Sequence, residues 1–203
     1  MSDSRADERN VVRLIALSDG IFAIAMTLLV LDIHVTPDLD GPHFQDMVED
    51  LLPHIGAYAL SFAILAGFWR DHRRILQLAQ RVEGLSLRLS LAGLGAIALL
   101  PFPTTLLSEY ASQTLSVVIY AATVIVIDLL QIAVLRTIHY QPRAAGSGPE
   151  PAHRNLITDL VSNVVVFGAA LLIAFASPRG ALWTLVLLVP LRFVLAHRAR
   201  KRA

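Results

Sequence analysis

RLIALSDGIFAIAMTLLVLDI, residues 13–33, decides the fold. The stretch is apolar enough to cross a bilayer, for which a helix needs about 20 mostly apolar residues, yet it carries Arg13, Ser18 and Asp19 near its start. An ionised carboxylate near the bilayer centre costs roughly 2.5–3.5 kcal/mol even on the mild insertion scale. Asp19 therefore demands a partner. At about 100° per residue Arg13 stands roughly 240° from Asp19, and only residues three or four apart touch along a helix. The partner has to come from another helix, and His72 and Arg73, at the end of the second helix just past its apolar stretch, lie at matching depth.

The rest of the chain agrees with a membrane class. Of its 203 residues 55% are hydrophobic, the mean hydropathy is +0.61, and the absence of cysteine removes disulfide and thiolate chemistry. Six stretches are long and apolar enough, or nearly so, to span: residues 11–35, 51–69, 89–107, 112–135, 156–176 and 181–197. The chain reads as an all-α integral membrane protein with six transmembrane helices. An N-terminal segment occupies residues 1–10, helices one to four lie within 11–140, a linker occupies 141–154, and helices five and six with a basic tail fill 155–203. The linker opens QPRAAGSGPEPAH, where Pro, Gly and Ala crowd together and apolar periodicity stops. The sixth stretch is short and interrupted by Pro190 and Arg192, although an arginine that near the end can snorkel to the headgroups.

Charge falls on alternate loops. Residues 36–50 hold no Lys or Arg but do hold Asp38, Asp40, Asp46, Glu49 and Asp50. Arg70, Arg73, Arg74 and Arg81 follow the second stretch, Arg136, Arg143 and Arg154 lie between the fourth and fifth, and Arg198, Arg200, Lys201 and Arg202 close the chain. Basic loops stay cytoplasmic, which places both termini on that side. The mixed-charge start MSDSRADERN lacks the basic onset of a secretory signal, so the first helix is read as retained.

No phosphate-cradling glycine loop, HExxH-type metal spacing or nucleophile-base set is recognisable, so no enzyme, cofactor, metal or nucleic-acid partner is expected. Asp128 with Gln131, and Asp159 with Asn163, are intramembrane polar pairs at helical spacing. They read as interhelical glue, with a proton relay as the sharper alternative. His34, His43 and His54 read as solvated histidines near the acidic loop. On the first helix Leu17, Ile24, Leu28, Leu31 and Val35 form one stripe, flanked by Gly20 and Thr27 and nearly opposite Asp19. The stripe is either ordinary bundle core or a surface built to meet another helix.

The pattern R-x-x-x-L-S-D-G over residues 13–20, followed by IFAIAMTLLVLDI, resembles the signature that opens the first helix in the transmembrane protein 175 family of potassium channels. FAILAGFWRDHR, residues 62–73, is similar to that family's W-x-x-H-H element: Trp69 and His72 match, and Arg73 replaces the second histidine. PFPTTLLSEY, residues 101–110, is similar to the end of the family's third helix. The resemblance implies a homotetramer in the lipid bilayer of a bacterial inner membrane. First helices would line a central pore that conducts potassium ions without a carbonyl filter.

Carried over by position, the family's constricting aliphatic sites fall on Ile24, Leu28 and Leu31, and a hydroxyl position beside them on Thr27. The helix-anchoring residues fall on Arg13, Ser18, Asp19, Trp69 and His72. Rings of branched aliphatics would then form the hydrophobic gate of a leak-type cation channel. Two departures matter. Leu17 removes an aromatic wedge where the family has phenylalanine, and Arg73 brings a permanent positive charge toward Asp19, so the first helix should be locked more permanently than in relatives with two histidines. The alternative function is a proton-coupled secondary transporter using Asp128 or Asp159.

Overall fold

Apolar runs of this length suit lipid only when every backbone hydrogen bond closes inside the segment, which a helix achieves. The computed structural model describes residues 2–35, 37, 41–79, 81–138, 151–177, 180, 181 and 184. Within them lie α1 (Ser2–Leu28), continued by a 3-10 turn (Leu29–Asp32), α2 (Gly41–Leu78), α3 (Gly84–Leu99), α4 (Pro101–Glu109), α5 (Thr114–Thr137) and α6 (Pro151–Ala176). Among the described residues five stretches are long and apolar enough to cross a membrane: Arg9–Asp32, His43–Leu78, Gly84–Glu109, Thr114–Thr137 and Leu156–Ala176. They answer to the first five expected spans. The sixth, 181–197, lies outside the described residues apart from Ala181 and Thr184.

Three boundaries differ from the sequence reading, and two of the differences turn on proline. α1 reaches back to Ser2 through the segment expected to precede the first helix. α6 begins at Pro151, inside the stretch expected as linker, because proline fits the first helical turn, where its missing N–H has no partner to lose. The third span is broken. Pro101 and Pro103 cannot donate to the carbonyls of Ile97 and Leu99, so the Leu100 N–H turns back to the Ile97 carbonyl at 3.1 Å and α4 restarts with Thr104 N–H on the Leu100 carbonyl at 3.2 Å.

Helices gain little hydrophobic drive from meeting one another in lipid; close packing and hydrogen bonds decide their association. The main core joins Phe22, Leu65, Phe68, Ile97, Tyr120 and Phe167, all at most 1% exposed. A second cluster of Ile75, Val134, Ile138, Leu156 and Leu160 ties α2, α5 and α6 together. Polar groups stitch the same interfaces. The Ser61 hydroxyl is 2.9 Å from Tyr120 Oη and accepts from Thr104 Oγ1 at 2.9 Å. Asn163 Nδ2 crosses from α6 to Asp128 Oδ1 at 3.0 Å, and Gln131 Nε2 reaches the Phe68 carbonyl at 3.5 Å.

Asp128 and Gln131 thus face the interior, fully buried or nearly so, and Asn163 pairs across the bundle with Asp128 in the geometry of packing glue. Asn163→Leu should lower the midpoint of thermal unfolding in detergent, by the equivalent of about 1 kcal/mol. An unchanged midpoint would show that this crossing contributes nothing to α5–α6 association.

The helices sort charge by end. At one end Asp19 meets Arg73; at the other Ser108 meets Asp32 and His54 lies 3.9 Å from Glu109. His54 is therefore half-buried against a carboxylate rather than freely solvated.

Candidate ion path

The circumference of α1 is divided. Phe22, Ala25 and Leu29 are each 1% exposed and pack into the bundle, whereas Ile24 (60%), Leu28 (42%) and Leu31 (64%) face outward. Thr27 is exposed beside them, and its hydroxyl donates to the Ile24 carbonyl at 2.9 Å. With its proton committed to the backbone, the threonine oxygen presents lone pairs on the same side as the stripe.

What fixes the rotation of α1 is its other face. Trp69 Nε1–H donates to Asp19 Oδ1 at 2.7 Å, and Arg73 Nη1 lies 4.0 Å from Asp19 Oδ2. The Arg73 guanidinium also sits 5.6 Å from the centroid of the Trp69 ring, an attraction of cation to π-face. Ser18 donates to the Leu14 carbonyl at 2.7 Å and meets His72 Nε2 at 3.1 Å. Since the serine proton is committed to Leu14, Nε2–H is assigned as the donor of the second bond. Of the two residues expected at the depth of Asp19, Arg73 approaches its carboxylate and His72 holds the neighbouring Ser18, while the Trp69 indole takes the nearer carboxylate oxygen. Residues 69, 72, 73 and 76 share one face of α2 by their spacing, which is why one helix face can grip two adjacent residues of α1.

Arg13 is exposed and stands apart from this cluster, with no ion pair among the described residues. Sequence reasoning missed Asp32. Ser108 Oγ donates to Asp32 Oδ2 at 2.6 Å, a second tie between α1 and the bundle at the opposite end from Asp19. The depth matching that brought Asp19 to α2 would have found it, because the stretches ending LDI and SEY finish at the same end. Among the described residues no group of three or more His, Asp or Glu side chains is placed to hold a metal ion.

A family profile described as the endosomal/lysosomal potassium channel TMEM175 matches residues 13–101. A protein of Chamaesiphon minutus named as a potassium channel is 34% identical over 190 residues, covering 91% of this chain and 90% of that protein. The chain belongs to the TMEM175 family. A Streptomyces collinus protein, also named as a potassium channel, is 38% identical over 102 residues, 50% of this chain and 49% of that protein, so the chain matches about half of its length. The crystal structure described as a lysosomal potassium-selective channel TMEM175 homolog from Chamaesiphon minutus has a TM-score of 0.80 at 23% identity, covering 93% of this chain and 98% of that one. The TMEM175 profile match encloses Ser18, Asp19, the exposed aliphatic stripe, Trp69 and His72. TMEM175 is a family of ion channels rather than enzymes, and this member is a multi-pass membrane protein.

Proposed function

We propose that this TMEM175 protein is a potassium-selective leak channel of the bacterial inner membrane. Four copies would assemble around a pore lined by α1. The observation that carries the reading is the exposure of Ile24, Leu28 and Leu31 on a helix whose opposite face is held by Trp69. Four copies of that stripe form stacked aliphatic rings, which oppose wetting and admit most easily the cation that rearranges its water at least cost. Potassium, larger and more weakly hydrated than sodium, is that ion. Thr27 oxygens beside the rings replace part of the displaced hydration.

The anchor supports a leak. Arg73 stays charged at every physiological pH, so the contact with Asp19 does not depend on protonating a second histidine. The basic helix ends, including Arg70, Arg73, Arg74 and Arg136, support a cytoplasmic placement of that side and of both termini.

The test is potassium and sodium flux in liposomes carrying the purified full-length protein, with native mass spectrometry of the same preparation. Tetramers and a potassium flux exceeding that of sodium are expected. A monomer carrying proton-coupled flux would replace this reading with a transporter working through Asp128 or Asp159.

A further inference from the structure

Beside the aliphatic stripe, at the end of α1 away from Asp19, lies a cavity of about 180 Å³ lined by Leu28, Leu31, Asp32, Pro101, Thr104 and Thr105. At about 30 Å³ per molecule in the liquid, it has room for several waters. Its walls offer acceptors. Ser108 occupies one oxygen of Asp32, and the other has no hydrogen-bond partner among the described residues. Thr105 donates to the Pro101 carbonyl at 3.3 Å, and Thr104 has its proton engaged by Ser61 at 2.9 Å and the Leu100 carbonyl at 3.0 Å. Both threonines therefore present oxygen lone pairs rather than donors.

The backbone adds a freed acceptor at the break. α3 ends at Leu99 and α4 begins at Pro101, so the negative end of one helix dipole and the positive end of the next meet there and offset each other. Pro103 leaves the Leu99 carbonyl without its helical donor. A broken helix at membrane depth is tolerated where it lines a watery cavity, and its freed carbonyls are a recurrent source of cation ligands. Charged groups nearby reinforce this. Glu109 follows in the same helix, residues 36–50 contain no Lys or Arg, and His34 Nδ1 engages the Asp32 carbonyl at 3.2 Å rather than its carboxylate.

We propose that the cavity between the end of α1 and the α3–α4 break binds a partly hydrated monovalent cation on Asp32, Thr104 and Thr105, and so loads the pore beside Leu31. One carboxylate with neutral oxygens suits a single charge; divalent sites add carboxylates. The proposal rests on the channel reading. It gives that reading a reservoir: an ion held here is already next to the outermost aliphatic ring.

The experiment uses single-channel recording of the full-length protein in planar bilayers at about 10 mM and about 1 M potassium, where the Debye length is about 30 Å and about 3 Å. Asp32→Asn, which can keep the Ser108 hydrogen bond, should lower conductance about threefold or more at low potassium and leave it nearly unchanged at high potassium, as loss of a saturable site or local charge requires. Thr105→Val separates those two causes, since it removes a ligand oxygen and no charge; it should shift the half-saturating potassium concentration upward about twofold or more. Thallium, as a potassium substitute, should give an anomalous scattering peak in the cavity of the crystallised wild-type protein. Unchanged conductance in Asp32→Asn, an effect of Asp32→Asn without one of Thr105→Val, or a cavity without thallium would each overturn the site. Wild-type protein that passes no potassium would instead overturn the channel reading.

Discussion

Ile24→Asn is expected to lower potassium-over-sodium permeability about tenfold, the equivalent of about 1.4 kcal/mol of lost discrimination, and to raise total conductance. Ile24 is 60% exposed on α1, so its replacement removes little packing within one subunit and the fold should survive. In a four-copy pore the same change puts four amides where four branched alkyl groups stood. An amide ring holds water, the cost of wetting the constriction disappears, and sodium enters with its hydration shell largely kept. Leu28→Asn should act in the same direction. Leu172→Asn provides the control, because that side chain is 73% exposed on α6, away from α1. Reversal potentials under bi-ionic conditions read the ratio directly. If both α1 variants keep the wild-type ratio, α1 does not form the constriction.

Asp19→Ala should be the most destabilising single change in the α1–α2 contact. It removes the acceptor of the 2.7 Å bond from Trp69 and the carboxylate near Arg73. The cost should be about 2 kcal/mol, combining a charged hydrogen bond with an ion pair that counts for little because it is partly exposed. Thermal unfolding of the detergent-solubilised protein should then fall by about 4–8 °C. Pairing Asp19→Ala with Trp69→Phe in a double-mutant cycle isolates the indole bond, and the two losses should fall short of additive by about 1 kcal/mol. Strict additivity would mean that Trp69 holds α1 by shape alone. Arg73→His tests the other half of the contact: it should make stability of the α1–α2 pair depend on pH between 5 and 8, which the arginine prevents.

The two faces of α1 could be read in the sequence because helical periodicity is a property of the chain itself. Asp19 also declared its need for a partner, since lipid offers none. Which side chain would answer was harder, because it depends on how far α2 slides and turns against α1. A one-residue shift exchanges Trp69 for Arg70; of the two side chains at matching depth, Arg73 meets Asp19 and His72 meets its neighbour Ser18. The break after Leu99 was available in principle from Pro101 and Pro103; it was hidden by the unbroken hydrophobicity of residues 89–107, which reports on lipid and not on backbone geometry. The tie from Ser108 to Asp32 arises only once that break has set the direction of α4. Arg13 shows the converse limit, for a motif position can match by spacing and still stand outside the cluster it accompanies.

Asp19 on α1 and Asp32 at the end of its 3-10 continuation turn the first helix into a span supported at both ends. Trp69 clamps it at Asp19 and Ser108 clamps it at Asp32, with roughly 20 Å of helix between them at 1.5 Å per residue. A rod pinned at two points cannot roll about its axis without breaking a clamp, and Ile24, Leu28 and Leu31 all lie on the pinned length. Opening by rotation of α1 is therefore the expensive route. Rocking of side chains between rotamers, with the backbone held still, is the motion this architecture leaves cheap.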